Sequence, residues 1–252
     1  MATSKSASAD PFRLLGKGEV DRAKNGRAHV FGKGFRCNTD SLGHPTPNDK
    51  APVELVVNVS QGFIPLWAND TILRWRFQEQ SLVQFADPEA VKSAIRILMG
   101  QALIGWGEAA PVKFTEINDA WDFEISLREI DDCDINGCVL ASSFFPDGGR
   151  HEFVIYPIMF KQSNKEQVET IEHELGHVFG LRHFFAKIRE ADSPSEIFGK
   201  QKSFTIMNYG PKSTLTKTDR ADLIRLYSMA RAGTLKEING TKIRLVRPFH
   251  AS

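Results

Sequence analysis

The chain has 252 residues, 41% of them hydrophobic, and a formal charge of +1. That is enough apolar material for one sizeable core. The balanced charge argues against a general electrostatic affinity for nucleic acid or for an anionic membrane surface. No apolar run approaches the length of a membrane span. The opening residues, MATSKSASADPFRLLGKGEV, lack the hydrophobic stretch of a secretory signal. The compartment therefore stays open between the cytoplasm and export by a non-classical route. Three cysteines do not make a disulfide framework in a chain this long, although Cys133 and Cys138 are close enough to pair under oxidising conditions.

Residues 1–50 are rich in Lys, Gly, Ser, Asn and Asp with little periodicity, and read as a flexible N-terminal segment. From VELVVNV onward the pattern is globular. In TILRWRFQ, Leu73, Trp75 and Phe77 alternate onto one face, which predicts a strand over 71–78. Asp87 is a good N-cap, Pro88 suits the first helical turn, and glycines bracket the end near Trp106. Between them Val91, Ala94, Ile95, Leu98, Ala102 and Trp106 recur at helical spacing as a core-facing stripe.

VKFTEI and DFEISLR predict two further strands, the second with Phe123, Ile125 and Leu127 inward and Asp122, Glu124 and Ser126 outward. VLASSFF and HEFVIYP read as strands joined by the turn PDGG. A helix follows from about Lys165 to Gly180, capped by Ser163 or Asn164. The last helix opens at LTKTDRADLIRLY, where Thr216 and Asp219 have capping-box spacing. Along it Arg220, Arg225 and Arg231 read as a solvated face. The tail TLKEINGTKIRLV predicts a hairpin around Asn239-Gly240. Strands come mainly early and helices mainly late, which indicates an α+β fold.

The stretch HELGHVFGLRH places three of the chain's seven histidines within eleven residues. On a helix, His173 and His177 lie one turn apart and present both imidazoles on one face, half of a tetrahedral zinc site. Glu174 is offset by roughly 100° around the helix. It is thus free to act as general base on a metal-activated water instead of binding the ion. Gly180 can take the left-handed conformation that ends a helix, so that His183 returns as third ligand. Three histidines with one open position make a catalytic site; a structural zinc site is closed.

At these residues the sequence resembles the metzincin clan of zinc endopeptidases, whose signature is H-E-x-x-H-x-x-G-x-x-H followed by a Met-turn. SFTIMNYG supplies the turn, with Met207 as its methionine. Within the clan HELGHVFGLRH, VLASSFFPDG and LTKTDRADLIRLY are most similar to a matrixin-type catalytic domain, over roughly residues 66–230. Two features depart from that pattern. Phe184 follows the third histidine in place of a familiar subfamily residue, and Tyr209 is more like the Met-turn tyrosine of astacins and serralysins.

The resemblance implies a metzincin-like fold: a twisted, mixed, five-stranded sheet with a long backing helix, an active-site helix and a C-terminal helix. It implies a catalytic domain over 51–232, with 233–252 as a hairpin or tail. The expected activity is zinc-dependent hydrolysis of peptide bonds, with His173, His177 and His183 as ligands, Glu174 as base and Tyr209 as a candidate oxyanion donor. The bland reading of Tyr209 is a core tyrosine. The substrate would be an extended peptide or protein lying beside VLASSFF, and the enzyme a monomer. Two other functions fit the same motif: a zinc hydrolase of a non-protein amide, and a non-catalytic binding module that keeps zinc as a scaffold. An intact Glu174 speaks against the second.

Three weaker signals stand apart. Asp132, Asp134 and Asn136, with Gly137, match the opening half of a calcium loop. Position twelve would be Ser143 instead of Glu, and a tight Asn-Gly turn explains the same residues. Arg36-Cys37 faintly resembles the zinc-capping cysteine of matrixin pro-segments. His151 reads either as a second-site ligand or as a surface residue at a strand end.

Overall fold

The computed structural model describes residues 12, 35–36, 55–58, 62–134, 137–183, 195–198, 205–208 and 213–250. Cys37, Asn136, Phe184 and Tyr209 lie outside them. Among the described residues, four strands precede the first α-helix: β1 (Phe35–Arg36), β2 (Leu55–Asn58), β3 (Phe63–Trp67) and β4 (Ile72–Phe77). Helix α1 (Pro88–Trp106) leads into β5 (Lys113–Glu116), β6 (Phe123–Leu127), β7 (Cys133–Asp134), β8 (Gly137–Val139), β9 (Ala141–Ser142) and β10 (His151–Ile155). Then come α2 (Asn164–Val178), β11 (Ser195–Phe198), α3 (Lys217–Arg231), β12 (Glu237–Ile238) and β13 (Thr241–Val246). No helix among the described residues is long and apolar enough to cross a membrane.

The α+β expectation holds. A five-stranded sheet runs in the order β5-β4-β6-β10-β9. Its first four strands are mutually parallel, and β9 closes one edge antiparallel to β10. In β4 the alternation expected from sequence is realised, with Leu73, Trp75 and Phe77 buried and Ile72 exposed. In β6 it is only half realised: Phe123, Ile125 and Leu127 are buried as expected, but so are Ser126 and, just before the strand, Asp122. The cause is position, because β6 lies inside the parallel ladder, where both sheet faces are covered. Asp122 answers its burial by accepting from the backbone N–H groups of Arg74 (2.8 Å) and His250 (2.7 Å).

The predicted VLASSFF strand is broken in the structure. Gly137–Val139 pairs with β1 and β7, while only Ala141–Ser142 joins the main sheet. Phe144 and Phe145 turn inward as core residues.

The helices carry the caps read from sequence. Asp87 Oδ1 accepts from the N–H of Ala90 at 2.9 Å, with Pro88 in the first turn. Ser163 and Glu166 form a reciprocal capping box on α2, and Thr216 and Asp219 form one on α3. Helix α1 buries Val91, Ile95, Leu98, Ala102 and Trp106, and also Met99. It approaches α2 closely at Gly105, where any Cβ would overlap Glu172 Oε1. Alongside, Trp106 Nε1 donates to the carbonyl of Glu172 at 3.0 Å. Burial first, then the like charge of Glu169, pushes the Glu172 carboxyl up to about 7, with Arg220 opposing.

Of the arginines of α3, Arg225 is exposed as expected, while Arg220 and Arg231 are half-buried and dock onto the fold. Arg220 donates to Gly105 O at 2.7 Å, and Arg225 lies over the ring of Phe198. Arg231 reaches the carbonyls of Trp67, Ala68 and Pro111. Such docking follows from the length of the side chain, whose stem packs while its planar fork collects several carbonyls.

The predicted hairpin is present as β12–β13, with Asn239 (φ 49°) and Gly240 (φ 84°) both left-handed, as a type I′ turn requires. Strand β13 continues past the turn to pair in parallel with β3. In β7–β8, Cys133 and Cys138 are joined by a disulfide.

Candidate metal centre

Helix α2 ends two residues before Gly180, and the way it ends sets the site. The N–H of Leu181 donates to Gly176 O (2.9 Å) and that of Gly180 to His177 O (2.8 Å). This is the Schellman pattern, with Gly180 at φ 89° in the left-handed position. The reversal carries His183 back toward the helix face that bears His173 and His177. All three rings are buried, and their ligand nitrogens lie within 4.8 Å of one another. His173 Nε2 stands 3.0 Å from His183 Nε2 and 3.2 Å from His177 Nε2.

Two of the rings are oriented by main-chain oxygens. His173 Nδ1 lies 2.7 Å from Ile206 O, and His177 Nδ1 lies 2.8 Å from Leu181 O. A carbonyl can only accept, so each Nδ1 carries the proton and each Nε2 is left with its lone pair. Two lone pairs 3.2 Å apart repel unless an electron-pair acceptor sits between them. Zinc bonds of about 2.0–2.1 Å in a tetrahedron require ligand nitrogens roughly 3.3 Å apart. The observed separations of 3.0 and 3.2 Å are close to that edge, so this all-nitrogen donor set fits zinc.

The surroundings are built to hold the rings still. Phe145 meets His177 edge-on, with centroids 5.5 Å apart. Met207 packs beneath α2 so closely that a Cβ on Gly176 would overlap its sulfur. Met207 thus serves as the platform expected of the Met-turn, and the preceding carbonyl, from Ile206, is the one that orients His173. Trp67 Nε1 donates to Val178 O at 2.7 Å, and the Tyr227 hydroxyl donates to Phe179 O at 3.1 Å. Together they satisfy the last carbonyls of α2. Burial holds the Tyr227 phenol well above its ordinary pKa, so it remains a donor.

Glu174 is buried beside the trio, 1% exposed. Its Oε2 accepts from Ser143 Oγ at 2.9 Å. Neither Ser143 nor the carbonyls of Ile206 and Leu181 carried any signal in the sequence. Ser143 lies within the VLASSFF segment but nothing in the pattern singled it out, and main-chain acceptors leave no trace in residue identity.

The weaker sequence signals stay apart from the trio. His151 stacks on Phe144 and pairs with Asp147 at 2.9 Å, as a strand-end residue. Asp134 Oδ1 accepts from Gly137 N–H at 3.2 Å, which is turn chemistry. Among the described residues, the three histidines are the group that brings three metal-ligating side chains together. Zinc is thus the supported metal and calcium is not shown. Strand β1 pairs in parallel with β8 up to Arg36, and Cys37 itself lies outside the described residues.

The matrixin family profile matches residues 66–191. No curated protein matches the chain. Among solved structures the chain is similar to myroilysin, with 14% identity and a TM-score of 0.41, over 64% of this chain and 82% of that one. It is also similar to high choriolytic enzyme 1, a hatching-enzyme zinc protease from Oryzias latipes (medaka fish). There the identity is 12% and the TM-score 0.39, over 68% of this chain and 92% of that one. The matrixin profile spans β4 to beyond the third histidine, taking in the main sheet, the active-site helix and its buried histidine trio. The chain belongs to the matrixin family and is a zinc metalloendopeptidase.

Proposed function

We propose that His173, His177 and His183 hold the catalytic zinc, that Glu174 is the general base, and that an extended peptide is cleaved beside β9. The observation that supports this most strongly is the convergence of three imidazole nitrogens within 4.8 Å of one another, with His173 Nε2 3.0 Å from that of His183 and 3.2 Å from that of His177, and with two tautomers fixed by carbonyls. When bound, zinc supplies Lewis-acid activation of a carbonyl and brings the pKa of water toward neutrality. The chain's own residues supply the rest. The Glu174 carboxylate receives the proton of the attacking water and passes it to the leaving amine. Buried among rings and core side chains, it acts in a water-poor setting, where its charge has the greatest effect.

Strand β9 offers the substrate a place to lie. It is the terminal strand of the main sheet and pairs with β10 on one side only among the described residues. A peptide docked on its outer edge gains main-chain hydrogen bonds regardless of sequence, and flanking pockets add side-chain preference. Tyr209 is proposed as a donor to the oxyanion of the tetrahedral intermediate.

Glu174→Ala tests the assignment. The variant should retain about one zinc per chain and its fold. Its turnover of a peptide substrate should fall by roughly two orders of magnitude or more. Near-normal turnover in the zinc-loaded variant would refute Glu174 as base.

A further inference from the structure

Ser143 lies immediately after β9 and is 2% exposed, and its hydroxyl does something its position does not require. Ser143 Oγ is 2.9 Å from Glu174 Oε2 and 2.9 Å from the main-chain oxygen of the same residue. A hydroxyl has one proton to give. The two oxygens share that proton in a bifurcated bond, and the charged carboxylate, as the stronger acceptor, takes the larger part of it. Because both acceptors belong to Glu174, the hydroxyl bridges its main chain to its carboxylate and restrains the torsions between them. A glutamate left to itself would sample several rotamers.

We infer that Ser143 is a positioning residue for peptide hydrolysis, which clamps the Glu174 carboxylate and ties it to the strand that receives the substrate. The inference rests on the assignment of Glu174 as general base. Its physical content is pre-organisation: a proton acceptor must be held within a narrow range of the attacking atom, and small misplacements cost rate. Ser143 continues the backbone of Ala141–Ser142. Pairing a peptide to β9 therefore sets the scissile bond and the carboxylate in one frame. A bond made to the carboxylate alone should act on turnover and leave peptide binding largely untouched.

The test uses the full-length, zinc-loaded enzyme with Ser143→Ala, Ser143→Thr, Glu174→Ala and the Ser143→Ala/Glu174→Ala double variant. Ser143→Ala should lose about tenfold or more in kcat, the range for a hydrogen bond to a charged group, with KM within roughly twofold. Zinc content should stay near one per chain, with a melting temperature within about 2 °C of the parent. Ser143→Thr, which keeps the hydroxyl, should recover most of the loss. Ser143→Cys keeps the volume but weakens the donor, and should fall between them if alanine disturbs folding.

Two readouts do not depend on the size of the rate change. In the double variant, removing Ser143 should cost nothing beyond the loss from Glu174→Ala alone. A crystal structure of zinc-loaded Ser143→Ala should show the Glu174 carboxylate in more than one orientation. Wild-type kcat in Ser143→Ala, or a carboxylate unmoved in its crystal, would overturn the inference while leaving Glu174 as base. Wild-type kcat in Glu174→Ala would overturn both.

Discussion

Gly176 is the position where the metal helix and the Met-turn can be tested against each other. Replacing it with alanine adds one methyl group, which would overlap Met207 Sδ and stand 3.2 Å from Met207 Cε. Comfortable carbon contacts begin at about 3.5 Å. Met207 is itself 2% exposed, so it has no solvent to move into. Overpacking of this kind costs about 1–3 kcal/mol. In the opposite direction, Gly→Ala in a helix contributes about 0.8–1 kcal/mol through propensity. The clash should win, leaving Gly176→Ala destabilised by about 1 kcal/mol and lowering Tm by about 2–4 °C at this chain length.

The sign should then invert in a Met207→Ala background. With the thioether gone, only the propensity term survives, and Gly176→Ala should raise Tm there. Thermal unfolding of the wild type, both single variants and the double variant completes the cycle, with an expected coupling of about 1–3 kcal/mol. A chelator titration adds a second readout, because displacing Met207 disturbs the Ile206 carbonyl on which His173 Nδ1 depends. Gly176→Ala raising Tm equally in both backgrounds would refute the close packing of helix and turn.

Other positions give independent outcomes. Gly180→Ala places a side chain at φ 89°, which should cost about 1–2 kcal/mol. By moving His183 it should also weaken zinc binding about tenfold or more in a competition assay, with Gly180→Asn less affected. Arg231→Ala leaves the carbonyls of Trp67, Ala68 and Pro111 without their guanidinium, and should lower stability by about 2–4 kcal/mol in denaturant unfolding. Unchanged unfolding would mean that water replaces it fully. Tyr209→Phe should reduce kcat about tenfold or more at constant zinc content; an unaffected kcat assigns Tyr209 a structural role.

The sequence was most legible where a residue type has one physical use. Asp87, Ser163 and Thr216 announced helix starts because a short oxygen-bearing side chain is what orphan N–H groups need. The histidine spacing with Gly180 disclosed the metal site for the same reason, as did Asn239-Gly240 for the hairpin. Legibility failed where the environment decides. VLASSFF looks like one continuous strand, yet partners on two different sheets divide it between Val139 and Ala141. Ser126 has the polarity of an outward residue, and only its place inside the parallel ladder buries it. The serine clamp on Glu174 could not be read because nothing local links residue 143 to residue 174. The docking of Arg231 is illegible for the complementary reason: its partners are carbonyls, which every residue has.

The parallel pairing of β13 with β3 sets an order of events in the life of the chain. Trp67, at the end of β3, holds Val178 O, and so supports the end of the helix that carries His173 and His177. Among the described residues, β13 is the only strand that pairs with β3. Such a contact between distant parts of the sequence forms late, since a long loop must close before any hydrogen bond rewards it. During synthesis, the HELGH segment leaves the ribosome before Thr241–Val246 has been made. A nascent peptidase of this kind possesses its metal ligands while the support beneath them is still missing.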